Sequence, residues 1–513
     1  MDAEDTSPHP LALDLREPVG RALRWLRSTD PRALAATPGQ GWWHGWGYGD
    51  VTGRMVEAFA LARRVLGESV VGPEEDRTRR FLESLFDSPD GLSWRPDTPF
   101  RRRAAHMFDQ SSVLFGLVAW LEESGDPSVA ARLERLVGAL SAIAVWDDDW
   151  CRYPLEVYTP SGWVADYDEF RDRRKNVAAD PCHEGGRQIQ PLTRYWELSG
   201  DGRALALAEG LTRFIVDHSG VFEPDGSFLE RDSRAAGHVH SRLGTAAGVL
   251  RLGLLRGRHD WTSWAKTVFD WTMANVASSF GWISERAHSS AGGCETCCLA
   301  DALDLSVTLA DSGHRSYWDL AERLIRNHLL ESQCPTTGGF SGHTMPNDFC
   351  WVHHVTGEPE HHVGGCCSPA GVRALWLAWD SITSRQGDDI HIHLPLSRQS
   401  PDAEVVSSLP WKGRVAVTVL RACDLMLRIP EWTDHRETRI AVAGVDHPPV
   451  WSGPYARVAR LAPGDRVVAT FPVREEPRRE SFMDFHLTVT WRGNTVTAVE
   501  PPGRIEPLYL REG

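Results

Sequence analysis

The spacing of hydrophobic residues changes once along the chain, near Gln386 and Gly387. Before that point, apolar residues recur every three or four positions, which is the period of a helix with one buried face. Positions 318, 321, 324, 325 and 328 share one such predicted face. After Gly387, apolar and polar residues alternate in short runs, as they do in β-strands. The pattern therefore predicts a mainly α chain with a β domain, divided into residues 1–386 and residues 387–513.

Five glycines punctuate the helical part at intervals of 56 to 75 residues, namely Gly67, Gly125, Gly200, Gly257 and Gly313. Each interval is the length of two helices with their connections, so it predicts one antiparallel helical pair. Glycine suits the left-handed position that ends a helix at such a turn. A helix at residues 19–27 and another at 370–383 complete a sixth pair. We therefore predict a closed (α/α)6 barrel, with an open helical solenoid as the alternative.

The C-terminal part contains short alternating runs separated by proline, glycine and aspartate, at residues 390–394, 415–419, 425–429, 467–470 and 486–491. Runs of this length and spacing predict an antiparallel β-sandwich. We expect the sandwich to support the barrel and to carry no chemistry of its own. The active site is accordingly predicted in residues 1–386.

Composition and charge limit the functional classes. The chain has 513 residues and 42% hydrophobic content, enough for large cores in two or more domains. A net charge of −15 argues against a nucleic-acid partner. No apolar stretch is long enough to span a bilayer, and the first thirty residues lack a cationic segment leading into an apolar one. These features predict a cytoplasmic enzyme with no membrane partner, whose ten cysteines stay reduced.

Two cysteine clusters stand out, one at residues 294–298 and one at residues 364–369. Thiols with one carboxylate are ligands that a tetrahedral zinc ion prefers. The alternative is that these cysteines are buried, reduced and act as small apolar residues. Glu295 favours the metal, because a carboxylate among thiols is costly to bury without a positive partner.

The pattern Glu-x-Cys followed by a vicinal Cys-Cys pair resembles the glycoside hydrolases of the β-L-arabinofuranosidase type. Residues 427–432 and 463–467 resemble signatures of that family's β domain, so the similarity covers most of the chain. The resemblance implies a zinc ion held by Glu295, Cys297, Cys366 and Cys367. It also implies a retaining mechanism in which Cys366 is the nucleophile, since a metal can keep a thiol deprotonated at neutral pH.

The acid/base residue is where this sequence departs from the family. The family has a glutamate about sixteen residues before its zinc-binding glutamate, whereas here the nearest preceding carboxylate is Glu285, ten residues before Glu295. Either Glu285 is the acid/base on a shortened loop, or the position is lost. An ion pair between Glu285 and Arg286 is an equally good interpretation. If the position is lost, the protein binds a sugar without cleaving it or catalyses another reaction.

Three polar clusters interrupt the helical part, at residues 108–110, 183–190 and 237–242, and their side chains suit a hydroxyl-rich ligand. The Gly-His segment at His238 resembles a substrate-contacting motif of the family. His183 and Gln188 resemble its other contacts, and His240 is a further candidate. Each of these could instead be a core residue with satisfied hydrogen bonds. The twenty-two tryptophans, several of them in residues 42–48, suit stacking on sugars as well as ordinary packing.

Two details concern the second cysteine cluster. The histidine pairs at residues 353–354 and 361–362 could also bind metal, but the glutamate and three cysteines already fill four positions. Adjacent thiols do not share one helical face, so we expect Cys366 and Cys367 in irregular backbone before a helix that begins near Pro369.

The sequence thus favours a zinc-dependent retaining glycosidase acting on an L-arabinofuranoside or a similar small glycoside. A noncatalytic carbohydrate-binding or structural-zinc protein on the same scaffold is the main alternative. A tailoring enzyme that acts on a glycosylated small metabolite is a third hypothesis. All three imply a small-molecule or oligosaccharide glycoside as the partner.

Overall fold

The computed structural model describes residues 13–36, 47–170, 174–228, 237–287, 289–352, 359–360 and 363–509. Within these residues no helix combines the length and the apolar character needed to cross a membrane. The described residues form thirteen α-helices: α1 Arg16–Ser28, α2 Pro31–Ala36, α3 Gly49–Leu66, α4 Pro73–Ser84, α5 Met107–Ser124, α6 Pro127–Ile143, α7 Ile189–Ser199, α8 Gly202–Arg213, α9 Val239–Arg256, α10 His259–Asn275, α11 Thr296–Asp311, α12 Tyr317–Leu324 and α13 Cys367–Asp380.

Six of these helices form a closed inner ring. Helices α3, α5, α7, α9, α11 and α13 each pack against the next, and α13 returns to pack against α3. Helices α1, α4, α6, α8, α10 and α12 pack against the ring members. An open solenoid would leave its first and last inner helices apart. The predicted (α/α)6 barrel is therefore confirmed.

The five predicted glycine turns all lie where an inner helix ends. Gly67, Gly125, Gly200 and Gly257 are the C-caps of α3, α5, α7 and α9, with φ between 61° and 73°. Gly313 has a φ of 114° and lies just past the end of α11. Only glycine adopts such backbone without strain, so it lets the chain reverse from each inner helix to the next outer one.

Short strands also occur in the connections of the barrel. They are β1 Ala105–His106, β2 Val145–Asp147, β3 Trp150–Arg152, β4 Val157–Tyr158, β5 Asp168–Phe170, β6 Arg174–Lys175, β7 Ser284–Arg286, β8 Ser289–Cys294, β9 Trp351–Val352 and β10 Pro359–Glu360. They pair as two-stranded antiparallel ladders, and in the pair of β7 with β8 the second strand ends at Cys294, just before α11.

The rest of the chain is β-structure: β11 Thr383–Gln386, β12 Asp389–Ile392, β13 Arg398–Gln399, β14 Ala403–Ser407, β15 Arg414–Val419, β16 Cys423–Arg428, β17 Arg439–Val442, β18 Val445–Asp446, β19 Val450–Ser452, β20 Tyr455–Leu461, β21 Arg466–Thr470, β22 Glu475–Phe482, β23 Phe485–Arg492 and β24 Thr495–Glu500. One sheet has the order β11-β12-β16-β20-β19, and a second has the order β13-β14-β15-β21-β17-β18. Their buried residues form one shared core, as in a sandwich.

The β part is mostly antiparallel, as predicted, but it contains one parallel pair. Strands β12 and β16 run parallel, with Asp389 opposite Asp424. The alternation of apolar residues is the same in either pairing, so the sequence pattern did not distinguish them. Strands β22, β23 and β24 form a separate three-stranded sheet. The division at residues 386 and 387 stays a prediction, and β11 before it is the edge strand of the first sheet.

A buried ion cluster joins α12 to the β part. Arg428, at the end of β16, contacts Asp319 at 2.5 Å and Glu322 at 3.1 Å, and its side chain is 1% exposed. The side-chain amide of Asn494 donates to the same two carboxylates. The apolar face predicted for this helix is buried as expected. Its polar face is buried as well, because the β strands cover it.

Replacing Arg428 with methionine tests this cluster. The change leaves Asp319 buried without its guanidinium, and we expect the free energy of unfolding to fall by about 3–5 kcal/mol. Urea denaturation followed by tryptophan fluorescence measures the change. Arg436→Met removes a similar pair with Asp434 at the surface, so its effect should stay within about 0.5 kcal/mol. Equal effects of the two variants would contradict the assignment.

Candidate metal centre and active site

Two neighbouring inner helices bring the cysteine clusters together. Glu295 is the N-cap of α11, and Cys297 lies in the first turn of that helix. Cys366 is the N-cap of α13, and Cys367 is its first residue. Helices α11 and α13 are adjacent in the ring. Their N-termini therefore place residues from two segments, separated by about seventy positions, in one group.

One ligand atom from each of these four residues lies within 4.8 Å of the others. Cys297 Sγ is 3.4 Å from Cys367 Sγ, and Cys366 Sγ is 3.9 Å from Cys367 Sγ. Glu295 Oε1 is 3.7 Å from Cys367 Sγ. Four ligands at zinc-like bond lengths around a tetrahedral centre would be about 3.3 to 3.8 Å apart. The group selected from the sequence can therefore hold a metal ion.

Glu295 is a buried carboxylate, with 7% of its surface exposed. Burial by itself would raise its pKa, but the hydrogen bond and the charge of His238 lower the pKa to about 2. His238 Nε2 lies 3.3 Å from Glu295 Oε2. An ionised carboxylate beside three thiols is an anionic donor set, and a cation at its centre would relieve the cost of burying it.

The three thiols differ in accessibility and acidity. Cys297 and Cys367 are buried, whereas Cys366 is partly exposed. Hydrogen bonds from the Cys297 and Cys367 thiols, together with the charge of Arg54, hold the pKa of Cys366 well below its usual value. Burial raises the pKa of the Cys297 thiol. Cys366 is therefore the thiol of this group that ionises first and the one that a ligand can reach.

The start of α13 differs from the prediction. The helix begins at Cys367 rather than near Pro369, so the prediction of irregular backbone for both cysteines is wrong. The Ala370 N–H donates to the Cys366 carbonyl at 3.2 Å, which extends the helical hydrogen bonding back across Pro369. Proline is accepted there because first-turn N–H groups have no partner within the helix. The irregular backbone lies earlier, at Gly364 and Gly365, which both have positive φ.

Cys298 has a different role from its neighbour Cys297. Its thiol donates to Glu295 Oε2 at 3.1 Å, whereas Cys367 contacts the other oxygen, Oε1. Cys298 is not among the four grouped ligands. It helps to orient the carboxylate that they share. All ten cysteines of the chain are free thiols.

His238 and His183 line one side of this group. Their ring centroids are 6.0 Å apart, and the ring of Phe108 lies 5.1 Å from that of His183. His183 Nδ1 contacts Glu184 at 2.6 Å, and His238 Nδ1 contacts the Ser241 hydroxyl at 3.0 Å. The structure thus brings these two sequence-predicted histidines together, with His238 in direct contact with the candidate ligand Glu295.

Gln188 has its polar atoms occupied by other protein groups. The Tyr153 hydroxyl donates to its Oε1 at 2.9 Å, and its amide donates to the carbonyls of Met107 and Glu184. The side chain is fully buried. Gln188 therefore holds chain segments in place, and its contact with a sugar stays a prediction.

His240 is also engaged on both ring nitrogens. Arg54 Nη2 lies 3.0 Å from its Nε2, and Asp301 Oδ2 contacts its Nδ1. Because a guanidinium can only donate, Nε2 is the acceptor and Nδ1 carries the proton. Burial lowers the pKa of His240 well below its usual value, which agrees with a neutral ring. His240 thus has a protein partner on each ring nitrogen, and its contact with a sugar stays a prediction.

Glu285 lies on the hairpin next to the metal group. Strand β7 carries it, and Ser284 of β7 is opposite Cys294, the residue before Glu295. Its carboxylate is 3.4 Å from Arg286 Nε and 3.5 Å from His343 Nδ1. Burial and the negative charge of Glu295 raise the pKa of Glu285 above its ordinary value. The contact with Arg286 agrees with the interpretation of Glu285 as half of an ion pair. The raised pKa agrees with the interpretation of Glu285 as the acid/base.

Sequence reasoning missed Arg54 and His343. Arg54 pairs with Asp50 in the mostly buried helix α3, and charged residues four positions apart in a buried helix were a usable signal. His343 has no comparable signal, because its position depends on a backbone pairing between Thr344 and Cys294.

Two earlier expectations fall on parts of the chain that are not described. The histidine pairs at residues 353–354 and 361–362 lie outside the described residues. Five residues of the tryptophan-rich stretch, 42–46, do so as well. Their roles stay predictions.

No protein-family model and no curated protein matches this sequence. Solved structures do match it. A GH127 β-L-arabinofuranosidase from Geobacillus stearothermophilus T6 has a TM-score of 0.64 at 15% identity, over 95% of this chain and 81% of that one. The chain shares its fold. A GH127 β-arabinofuranosidase has a TM-score of 0.63 at 14% identity, over 94% and 80% of the two chains. A D-mannose isomerase scores 0.51 at 10% identity, over 72% of this chain and 96% of that one.

Metal content distinguishes the two adjacent thiols of α11. We expect the purified protein to carry about one metal ion per chain. Cys297→Ser should lose most of that metal, because it removes a ligand. Cys298→Ser is the matched control and should keep it, since a serine hydroxyl can still donate to Glu295. Elemental analysis measures both, and equal metal loss in the two variants would contradict the four-ligand group.

Proposed function

We propose that this protein is a zinc-dependent retaining glycosidase that acts on an L-arabinofuranoside or a similar small glycoside. The observation that carries the proposal is the group formed by Glu295 and three thiols, in which the partly exposed Cys366 has the lowered pKa. The shared fold with two GH127 β-arabinofuranosidases supports the substrate class.

Zinc is the proposed metal because it accepts a mixed set of thiolates and one carboxylate in a tetrahedron. The spacing of the donor atoms and the burial of Glu295 fit such an ion. The N-termini of α11 and α13 would stabilise the ionised ligands, because helix N-termini carry partial positive charge. Bound zinc would keep the thiols ionised at neutral pH and would make the nucleophilic thiolate a better leaving group.

Cys366 is the proposed nucleophile. Its Sγ attacks the anomeric carbon of the sugar, and a C–S bond forms as the C–O bond to the aglycone breaks. The aglycone oxygen takes a proton from Glu285. In the second half, Glu285 takes a proton from water, the water oxygen attacks the anomeric carbon, and the C–S bond breaks to restore the Cys366 thiolate.

Glu285 is the proposed acid/base because its pKa is raised by burial and it lies beside the ligand hairpin. A raised pKa keeps a carboxylic acid protonated closer to neutral pH, as the first step requires. His343 supports this role through its contact with Glu285 Oε2. Glu285 precedes Glu295 by ten residues, fewer than in the family. The hairpin of β7 and β8 is compatible with this shorter spacing, because it places Ser284 opposite Cys294.

His238 and His183 are the proposed contacts for sugar hydroxyls. Both rings are partly exposed, and they lie next to each other and to Glu295. A second candidate function is a noncatalytic carbohydrate-binding protein that uses the same metal group. The contact of Glu285 with Arg286 favours it, because an ion-paired carboxylate would not donate a proton.

Cys366→Ser tests the nucleophile. We expect it to abolish turnover of an aryl β-L-arabinofuranoside, by more than any loss of metal explains, because an alcohol is a far weaker nucleophile than a thiolate. Cys298→Ser is the control and should retain activity. An electrophilic sugar analogue should label Cys366, as shown by mass spectrometry of the digested protein. A label on Cys367 or Cys298 alone would overturn the assignment.

Glu285→Gln tests the acid/base. With an alkyl aglycone, kcat/KM should fall by about 10²- to 10⁴-fold, whereas a nitrophenyl aglycone, which needs no proton to leave, should be affected much less. In the wild type, activity on the alkyl glycoside should decline as pH rises through the Glu285 pKa, because the acid form is then lost. The raised pKa places that decline at higher pH than for an ordinary glutamate. An unchanged pH profile in the variant would exclude Glu285.

A further inference from the structure

A guanidinium group contacts the metal group from inside the ring. Arg54 Nη1 of helix α3 lies 3.9 Å from Cys297 Sγ, and the side chain of Arg54 is 11% exposed. The contact crosses from α3 to α11, so it joins two inner helices on either side of α13. Of the cysteines in the group, the contacted one is the ligand that is fully buried at 0% exposure.

Arg54 is held in place on its other nitrogens. Its Nε donates to Asp50 Oδ1 at 2.8 Å, and Nη2 donates to His240 Nε2 at 3.0 Å. Asp50 also accepts from the Ser112 hydroxyl. Each of the three nitrogens of the guanidinium therefore has a separate partner, and the group has little freedom to turn away from the sulfur.

The charges around Arg54 leave a positive excess beside Cys297. Asp50 is shared between Arg54 and Arg187, the latter at 3.8 Å, so two guanidiniums face one carboxylate. The next carboxylate, Asp301, is bound to neutral His240. Burial raises the pKa of Asp301 to about 7, which weakens its ability to cancel the excess.

The metal group needs such a charge. A dication with one carboxylate and three thiolates has a net charge of −2, and that charge would be largely buried. Hydrogen bonds and cations next to the ligands stabilise a buried anionic centre and tune its thiolates. A guanidinium suits this position because it stays charged at any relevant pH.

We infer that Arg54 is a positioning residue of the metal centre, which stabilises the anionic cluster and withdraws charge from Cys297. The contact is made to the ligand that is fully buried, so the effect of Arg54 is on the stability of the metal centre. The inference rests on the proposed function in one respect, namely that a divalent metal occupies this group.

The test compares metal binding among variants of the full-length protein. Arg54→Met removes the charge, Arg54→Gln keeps a donor without the charge, and Arg54→Lys keeps a charge. Arg373→Met is the matched control, because Arg373 lines the same cavity but pairs with Asp304 and Gln190. Zinc affinity is measured by competition with a chromophoric chelator, and the cobalt-substituted proteins report the sulfur-to-metal charge-transfer bands.

We expect zinc affinity to fall at least about tenfold in Arg54→Met and Arg54→Gln. The charge-transfer bands should move to lower energy in both, because the Cys297 thiolate loses a stabilising cation. Arg54→Lys should recover part of the affinity, and Arg373→Met should match the wild type. If Arg54→Met does not fold, the comparison of Arg54→Gln with Arg54→Lys carries the test.

Three outcomes would overturn the inference. Unchanged affinity and spectra in Arg54→Gln would show that the charge has no effect on the cluster. Equal losses in Arg373→Met would show a general effect of the cavity rather than a contact with sulfur. A wild-type protein that binds neither zinc nor cobalt would reject the proposed function, and this inference with it, whereas the first two outcomes leave the proposed function intact.

Discussion

Closure of the inner ring is the constraint on which the candidate site depends. Because α13 packs between α11 and α3, the N-termini of α11 and α13 are neighbours, and α3 lies on the other side of α13. Glu295 and Cys297 meet Cys366 and Cys367 only through this packing. The same closure brings Arg54 of α3 to the sulfur of Cys297. A gap in the ring at any of these three helices would separate the residues that the proposed chemistry needs.

The β part contributes to the site indirectly. The three-stranded sheet β22-β23-β24 shares a hydrophobic core with Phe280, Trp282 and Cys294. These residues flank the hairpin that carries Glu285 and leads into Glu295. The indole N–H of Trp282 also donates to the hydroxyl of Tyr509, near the end of the described chain. The β part therefore supports the segment that holds the candidate acid/base, in addition to its ion cluster with α12.

Polar residues around the metal group fall into two sets. Gln188, His240 and Arg54 have their polar atoms paired with other protein groups, and they fix the inner wall of the ring. His183, His238 and Cys366 are partly exposed at the end of the ring where the helix N-termini lie. This division separates residues that shape the centre from residues that a glycoside could reach.

The sequence by itself determined the helical pairs of the barrel and indicated the candidate ligands. The helical period and the five glycines specified the helical pairs, since both are local properties of the backbone and of side-chain spacing. Residue type and local spacing indicated a candidate site of thiols and one carboxylate. The choice of Glu295, Cys297, Cys366 and Cys367 came from the resemblance to the β-L-arabinofuranosidase family.

Only the tertiary structure decided which polar residues are free to act. The contact of His240 with Arg54 joins α9 to α3, and the pairing of Arg54 with Cys297 joins residues 243 positions apart. The parallel pairing of β12 with β16 and the burial of the polar face of α12 were likewise decided by distant strands. Such contacts join residues that are far apart in the sequence and meet only when the ring and the sheets have formed. A local sequence pattern therefore does not specify which partner a buried polar atom has.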